Sequence, residues 1–85
     1  MVILFKGDKK MDKEFSNSYK QLGLNIAYHR KSKGLSQNQL SERINISRTH
    51  MSRIETADCA VSLDIIFQIS KALGIEPKQL FDFRD

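Results

Sequence analysis

Apolar residues recur along this chain at the three- and four-residue spacing of helices. From Phe15 they fall at Tyr19, Leu22 and Ile26, so a helix is expected from a cap at Asp12 toward Arg30, closed by Gly34 after Lys31 and Lys33. Gly23 lies within it, weakening the helix but allowing another backbone to come close. Ser36 with Gln39 three residues on has the form of a capping box, and Leu35 is placed as a hydrophobic staple on Leu40. The helix that starts there runs through Leu40 and Ile44 and stops at Asn45, which tolerates the left-handed conformation of a sharp exit, while Ile46 can plug the turn into the core. Ser47 caps a further helix, Arg48 to Thr56, that contains no Gly or Pro. After a loop from Ala57 to Val61, Ser62 caps Leu63 to Leu73, Gly74 closes it, and Pro77 opens a last short helix over Lys78 to Phe81. The pattern predicts a compact all-α, five-helix fold with no strand, residues 1–11 being a tail or arm and 12–85 the domain.

Ser36 to Thr56 has the outline of a helix-turn-helix: two short helices and a three- to four-residue turn. At about 100° per residue, Met51, Ile54 and Glu55 share one side of the second helix, and Arg48, Thr49, Ser52, Arg53 and Thr56 share the other, with His50 at the margin. Two guanidinium groups and three small hydroxyls can hydrogen-bond base edges or phosphates in a major groove. An ordinary solvated helix face has the same look, and periodicity alone does not separate the two.

Composition narrows the classes. Eighty-five residues make one small domain, and 40% hydrophobic content supports a folded chain. A single cysteine, Cys59, excludes a disulfide within a monomer and fits a reduced, cytoplasmic setting. With His29 and His50 as the only histidines there is no zinc-ligand spacing, so neither metal nor cofactor is expected. No paired carboxylates, base-activated nucleophile or glycine-rich phosphate loop can be assembled, which argues against an enzyme. The net charge is +4, but residues 20–54 carry +6 and residues 55–85 carry −3. Positive charge concentrated around the helix-turn-helix is the footprint of a polyanion partner.

The ends of the chain add apolar features. Met1 to Phe5 is too short for a signal peptide or membrane span and is followed at once by charged residues. It reads as a disordered tail, an arm that docks on a partner subunit, or an extension upstream of a start at Met11. In the Leu63–Leu73 helix, Leu63, Ile66, Ile69 and Leu73 form a stripe, with Ile65 and Phe67 outside it. A helix this apolar should bury a second face, most simply against another subunit, so Ile65, Phe67, Phe81 and Phe83 are candidate dimer contacts.

Taken in order, NIAYHRKSKGLSQNQLSERINISRTHMSRIE and SLDIIFQISKALGIEPKQLF resemble the lambda-repressor-like, Cro and Xre-type helix-turn-helix domain over roughly three quarters of the chain. The Leu-Ser-Gln opening, the Ser-Arg-Ile-Glu exit and the Ala-Leu-Gly-Ile helix end carry the likeness. The resemblance implies a transcriptional regulator that binds double-stranded DNA as a homodimer at a pseudo-palindromic operator. It implies that Gln37 touches a phosphate and can brace the first recognition-helix side chain, that Arg48, Thr49 and Arg53 read bases with Ser52 beside them, and that Arg30 and Glu55 form an internal salt bridge. Ser47, Lys31 and Lys33 are then candidate phosphate anchors, with His50 at the edge of the surface. The sequence departs from the family at His29, Ser41 and Asn45, where leucine, alanine and glycine are usual. Ser41 is small enough for helices to cross, Asn45 can make the turn, and His29 is expected to be a half-buried packing residue. A rival reading is a protein-interaction module such as an antitoxin, for which Ile65, Phe67, the MVILF start and the FDF end would serve.

Overall fold

The computed structural model describes residues 13–83. The tail at 1–11 and the expected cap Asp12 lie outside the described residues. A 3-10 turn at Lys13–Phe15 leads into α1 (Ser16–Ser32), followed by α2 (Gln37–Arg43), α3 (Arg48–Glu55), α4 (Leu63–Leu73) and α5 (Pro77–Leu80), with no strand among the described residues.

Serine hydroxyls start the three middle helices. Ser36 accepts from the Gln39 amide at 3.0 Å while Gln39 Oε1 accepts from the Ser36 amide at 2.8 Å, completing a capping box. Ser47 and Ser62 accept from the amides of His50 and Ile65 at 3.0 and 3.2 Å.

Four helices end in the same way, with a residue in the left-handed region and a 6→1 backbone bond. The left-handed residues are Gly34, Asn45, Ala57 and Gly74, at φ +74, +61, +62 and +69. The following amide reaches back to a carbonyl in each case: Leu35 to Arg30, Ile46 to Ser41, Asp58 to Arg53, and Ile75 to Ser70. This arrangement satisfies carbonyls that a helix end would otherwise leave open. Leu35, Ile46 and Ile75, the residues after three of these turns, pack on the core. Ala57 does the same work as Asn45 without the side-chain amide that helps asparagine adopt this conformation, and it is buried.

Leu22 and Ile26 of α1, Leu40 of α2, Met51 and Ile54 of α3, Ile66, Ile69 and Leu73 of α4, and Leu80 of α5 form one core with Ile44. Helix α3 packs on both α1 and α2, and α5 closes the other end against α1 and α4. Asn25 fastens that end by donating from Nδ2 to the carbonyls of Leu80 at 2.9 Å and Asp82 at 3.2 Å. Ser41 is buried with its hydroxyl donating to the Asn38 carbonyl at 2.9 Å, so a serine fits the crossing without an unsatisfied group. His29 is half-buried, its ring set edge-on to Tyr28 at 5.1 Å.

Two apolar positions depart from the pattern. Phe15 is 50% exposed instead of opening the buried stripe, because the chain there is wound as 3-10 and the α-helical register begins only at Ser16. Leu63 is 61% exposed. The buried face of α4 is made by Ile66, Ile69, Ser70 and Leu73, and at about 100° per residue Leu63 lies about 70° from its centre.

Candidate nucleic-acid interface

The inner face of α3 is fixed by Met51, Ile54 and Glu55, all buried. Opposite them Arg48, Thr49 and Arg53 are exposed and Ser52 is half-buried, with His50 half-buried at the margin. Neither Arg48 nor Arg53 has an ion-pair partner among the described residues. The two guanidinium groups therefore sit at the surface, five residues apart on one helix, not held in an ion pair by any other described residue. Thr56 turns its hydroxyl back on the Ser52 carbonyl at 3.0 Å. Ser47 accepts from His50 at the helix start, which leaves its own hydroxyl hydrogen free to donate outward.

Behind this face lies a buried ionic cluster. Arg30 Nε and Nη2 donate to Glu55 Oε2 and Oε1 at 2.7 and 3.0 Å, and the two residues are 7% and 8% exposed. Arg30 Nη1 donates to the Leu35 carbonyl at 2.8 Å. Gln37 Nε2 also donates to Glu55 Oε1, at 3.0 Å. In this structure the glutamine amide thus braces the last residue of α3, where the resemblance had suggested the first side chain of that helix. Every buried side-chain polar atom among the described residues has a partner, as a cluster excluded from water requires.

Gly23 allows this cluster to form. A β-carbon there would lie 2.4 Å from the Glu55 carbonyl oxygen and 2.8 Å from that of Ile54, so α1 crosses the end of α3 backbone to backbone.

The remaining candidates stand on other elements. Lys31 and Lys33 are exposed at the C-terminal end of α1, beside the loop that leads to Ser36 and Gln37. Phe81 and Phe83 are exposed, their rings 6.3 Å apart. They line an apolar groove of about 350 Å³ together with Phe15, Tyr19 and Leu63. Phe67 is 51% exposed, but it is not among the residues lining that groove. Ile65 is half-buried and packs on the core, so it offers less free apolar surface than Phe67. Periodicity gave no sign of the Gln37–Glu55 bond or of the Asn25 anchor. Both depend on how distant segments meet, and the only local trace is a polar residue beside a buried stripe.

A helix-turn-helix family model matches residues 26–80, from the second half of α1 through α5. The chain belongs to the helix-turn-helix family. Among its relatives, the control protein C.BamHI of Bacillus amyloliquefaciens is 49% identical over 49 residues, a match covering 58% of this chain and 60% of that protein. The crystal structure of the restriction-modification controller protein C.AhdI from Aeromonas hydrophila superposes with a TM-score of 0.74 at 32% identity, covering 76% of this chain and 98% of that one. SinR, a master regulator for biofilm formation solved in complex with DNA, superposes with a TM-score of 0.66 at 27% identity, covering 72% of this chain and 98% of that solved chain. In this helix-turn-helix protein no described helix is long and apolar enough to cross a membrane. Among the described residues no group of three His, Cys, Asp or Glu is placed to hold a metal ion.

Proposed function

We propose that this chain is a sequence-specific, double-stranded-DNA-binding transcriptional regulator, a repressor or autoregulator, that acts in the cytoplasm as a homodimer on a pseudo-palindromic operator. The observation that carries the reading is that Arg48 and Arg53, exposed and without an ion-pair partner among the described residues, stand on a capped helix whose opposite face is buried. The relatives support it: one is named a control protein, another a restriction-modification controller protein, and a third was solved in complex with DNA. Residues 12–85 would be the binding domain and 1–11 an appended tail or arm.

In this reading α3 enters a major groove, with Arg48 and Arg53 offering bidentate donors to guanine and Thr49 and Ser52 beside them. Gln37, Ser47, Lys31 and Lys33 hold phosphates, and His50 borders the contact. A dimer would place its two recognition helices about 34 Å apart on one face of the duplex. The groove at Phe81 and Phe83, together with exposed Phe67, supplies apolar surface for the second subunit.

Base contacts and phosphate contacts separate experimentally. Arg53→Ala is expected to flatten preference at one base pair, a loss of about 1–3 kcal/mol of discrimination. Lys33→Ala is expected to weaken all sequences alike and to lower the salt slope by about one. Binding to a set of single-base operator variants at several salt concentrations reads both effects. An unchanged specificity profile for Arg53→Ala would remove that residue from the base-reading set.

A further inference from the structure

We infer that Gln37 is a positioning residue that fixes the register between the first turn of α2 and the outer face of α3, an inference that rests on the DNA-binding reading of that face. Gln37 is the first residue of α2 and Glu55 the last of α3, and the 3.0 Å bond between their side chains joins those two ends. Arg30 ties the same carboxylate to α1 and, through the Leu35 carbonyl, to the loop that precedes the Ser36 cap. Arg30 alone would couple α1, the loop and α3. Gln37 brings in the start of α2, which otherwise meets α3 through apolar side chains such as Leu40, Met51 and Ile54. Apolar packing is non-directional, whereas a hydrogen bond to a carboxylate is short and directional.

The bond also decides which way the amide points. Glu55 offers only acceptors, so Nε2 must face it and Oε1 must turn away. The second Nε2 hydrogen remains available to a phosphate oxygen. Holding α3 and touching DNA are thus two separable roles of one side chain. Loss of a phosphate contact weakens every sequence equally, because phosphates carry no sequence information. Loss of register tilts Ser52 and Arg53 away from matched bases and weakens the preferred site selectively.

The test uses the full chain with Gln37→Met, which keeps length and removes the donor, and Gln37→Glu, which sets a second carboxylate against Glu55. In the free protein, amide hydrogen exchange at Ile54, Glu55 and Thr56 is expected to speed up about tenfold in Gln37→Met, and further in Gln37→Glu, with α4 unchanged, as for loss of one hydrogen bond to a charged group. The DNA probes are a duplex selected by the wild-type chain from a randomised pool and a random-sequence duplex of equal length. For Gln37→Met affinity for both duplexes should fall by the shared loss of the phosphate contact, and the preference between them should fall about tenfold beyond that shared loss. Equal losses on both duplexes, or unchanged exchange at the end of α3, would overturn the assignment. If the wild-type chain prefers no duplex, the DNA reading itself fails, and the exchange rates still decide whether Gln37 holds α3.

Discussion

Replacing Glu55 by alanine is expected to lower the unfolding free energy by about 3–5 kcal/mol, because it leaves the Arg30 guanidinium buried without its counter-charge. Arg30 is 7% exposed, and the substitution removes two of its hydrogen bonds together with the one from Gln37. Domains carry roughly 0.05–0.15 kcal/mol of stability per residue, so the loss is a large share of what a chain this small has. Urea denaturation reads it directly. A second variant separates burial of an unpaired charge from loss of favourable pairing. Arg30→Met combined with Glu55→Leu removes both charges and should cost less than Glu55→Ala alone, since a buried ion pair gains little over well-packed apolar side chains. An unshifted midpoint for Glu55→Ala would mean that the cluster contributes nothing to stability.

The second large effect is expected at Gly23, where two physical terms oppose each other. Within a helix, alanine is favoured over glycine by about 1 kcal/mol, so propensity alone predicts that Gly23→Ala stabilises the chain. Sterics predict the reverse. The added β-carbon would meet the carbonyl oxygen and carbon of Glu55 at 2.4 and 2.8 Å, backbone atoms that cannot rotate aside as a side-chain tip would. The helices must move apart, and overpacking of this kind costs about 1–3 kcal/mol or more. We expect a net fall in melting temperature, accompanied by loosening of the Arg30–Glu55 cluster. A rise would show that α1 and α3 can separate without penalty.

Much of this fold is legible in the sequence because it is encoded locally. Ser36, Ser47 and Ser62 cap the helices they precede, and Gly34, Asn45 and Gly74 end the helices they follow, each through bonds to residues a few positions away. The two faces of α3 follow from a spacing that any helix must obey, so Met51 and Ile54 point inward and Arg48 and Arg53 outward. Ala57 was not legible as a left-handed exit, because nothing about alanine favours that conformation and only the surrounding packing imposes it. Leu63 and Phe15 depart from the pattern for a related reason: their hydrophobicity fits a buried stripe, and only the local winding and the position of neighbouring helices leave them exposed. The site divides along the same line. Its outward residues can be read from one helix, while the Gln37–Glu55 bond joins residues 18 apart through the crossing of two helices and has no local signature.

The central claim is that the outer face of α3 reads duplex DNA. Repeated selection of the 85-residue chain against a pool of randomised duplexes tests it most directly. If that face reads duplex DNA, the pool converges on a two-fold symmetric site whose half-sites are centred about 10 base pairs apart, and convergence is lost when Arg48 and Arg53 are both replaced by alanine. A pool that stays random with the wild-type chain, or a convergence that survives the double substitution, would contradict it.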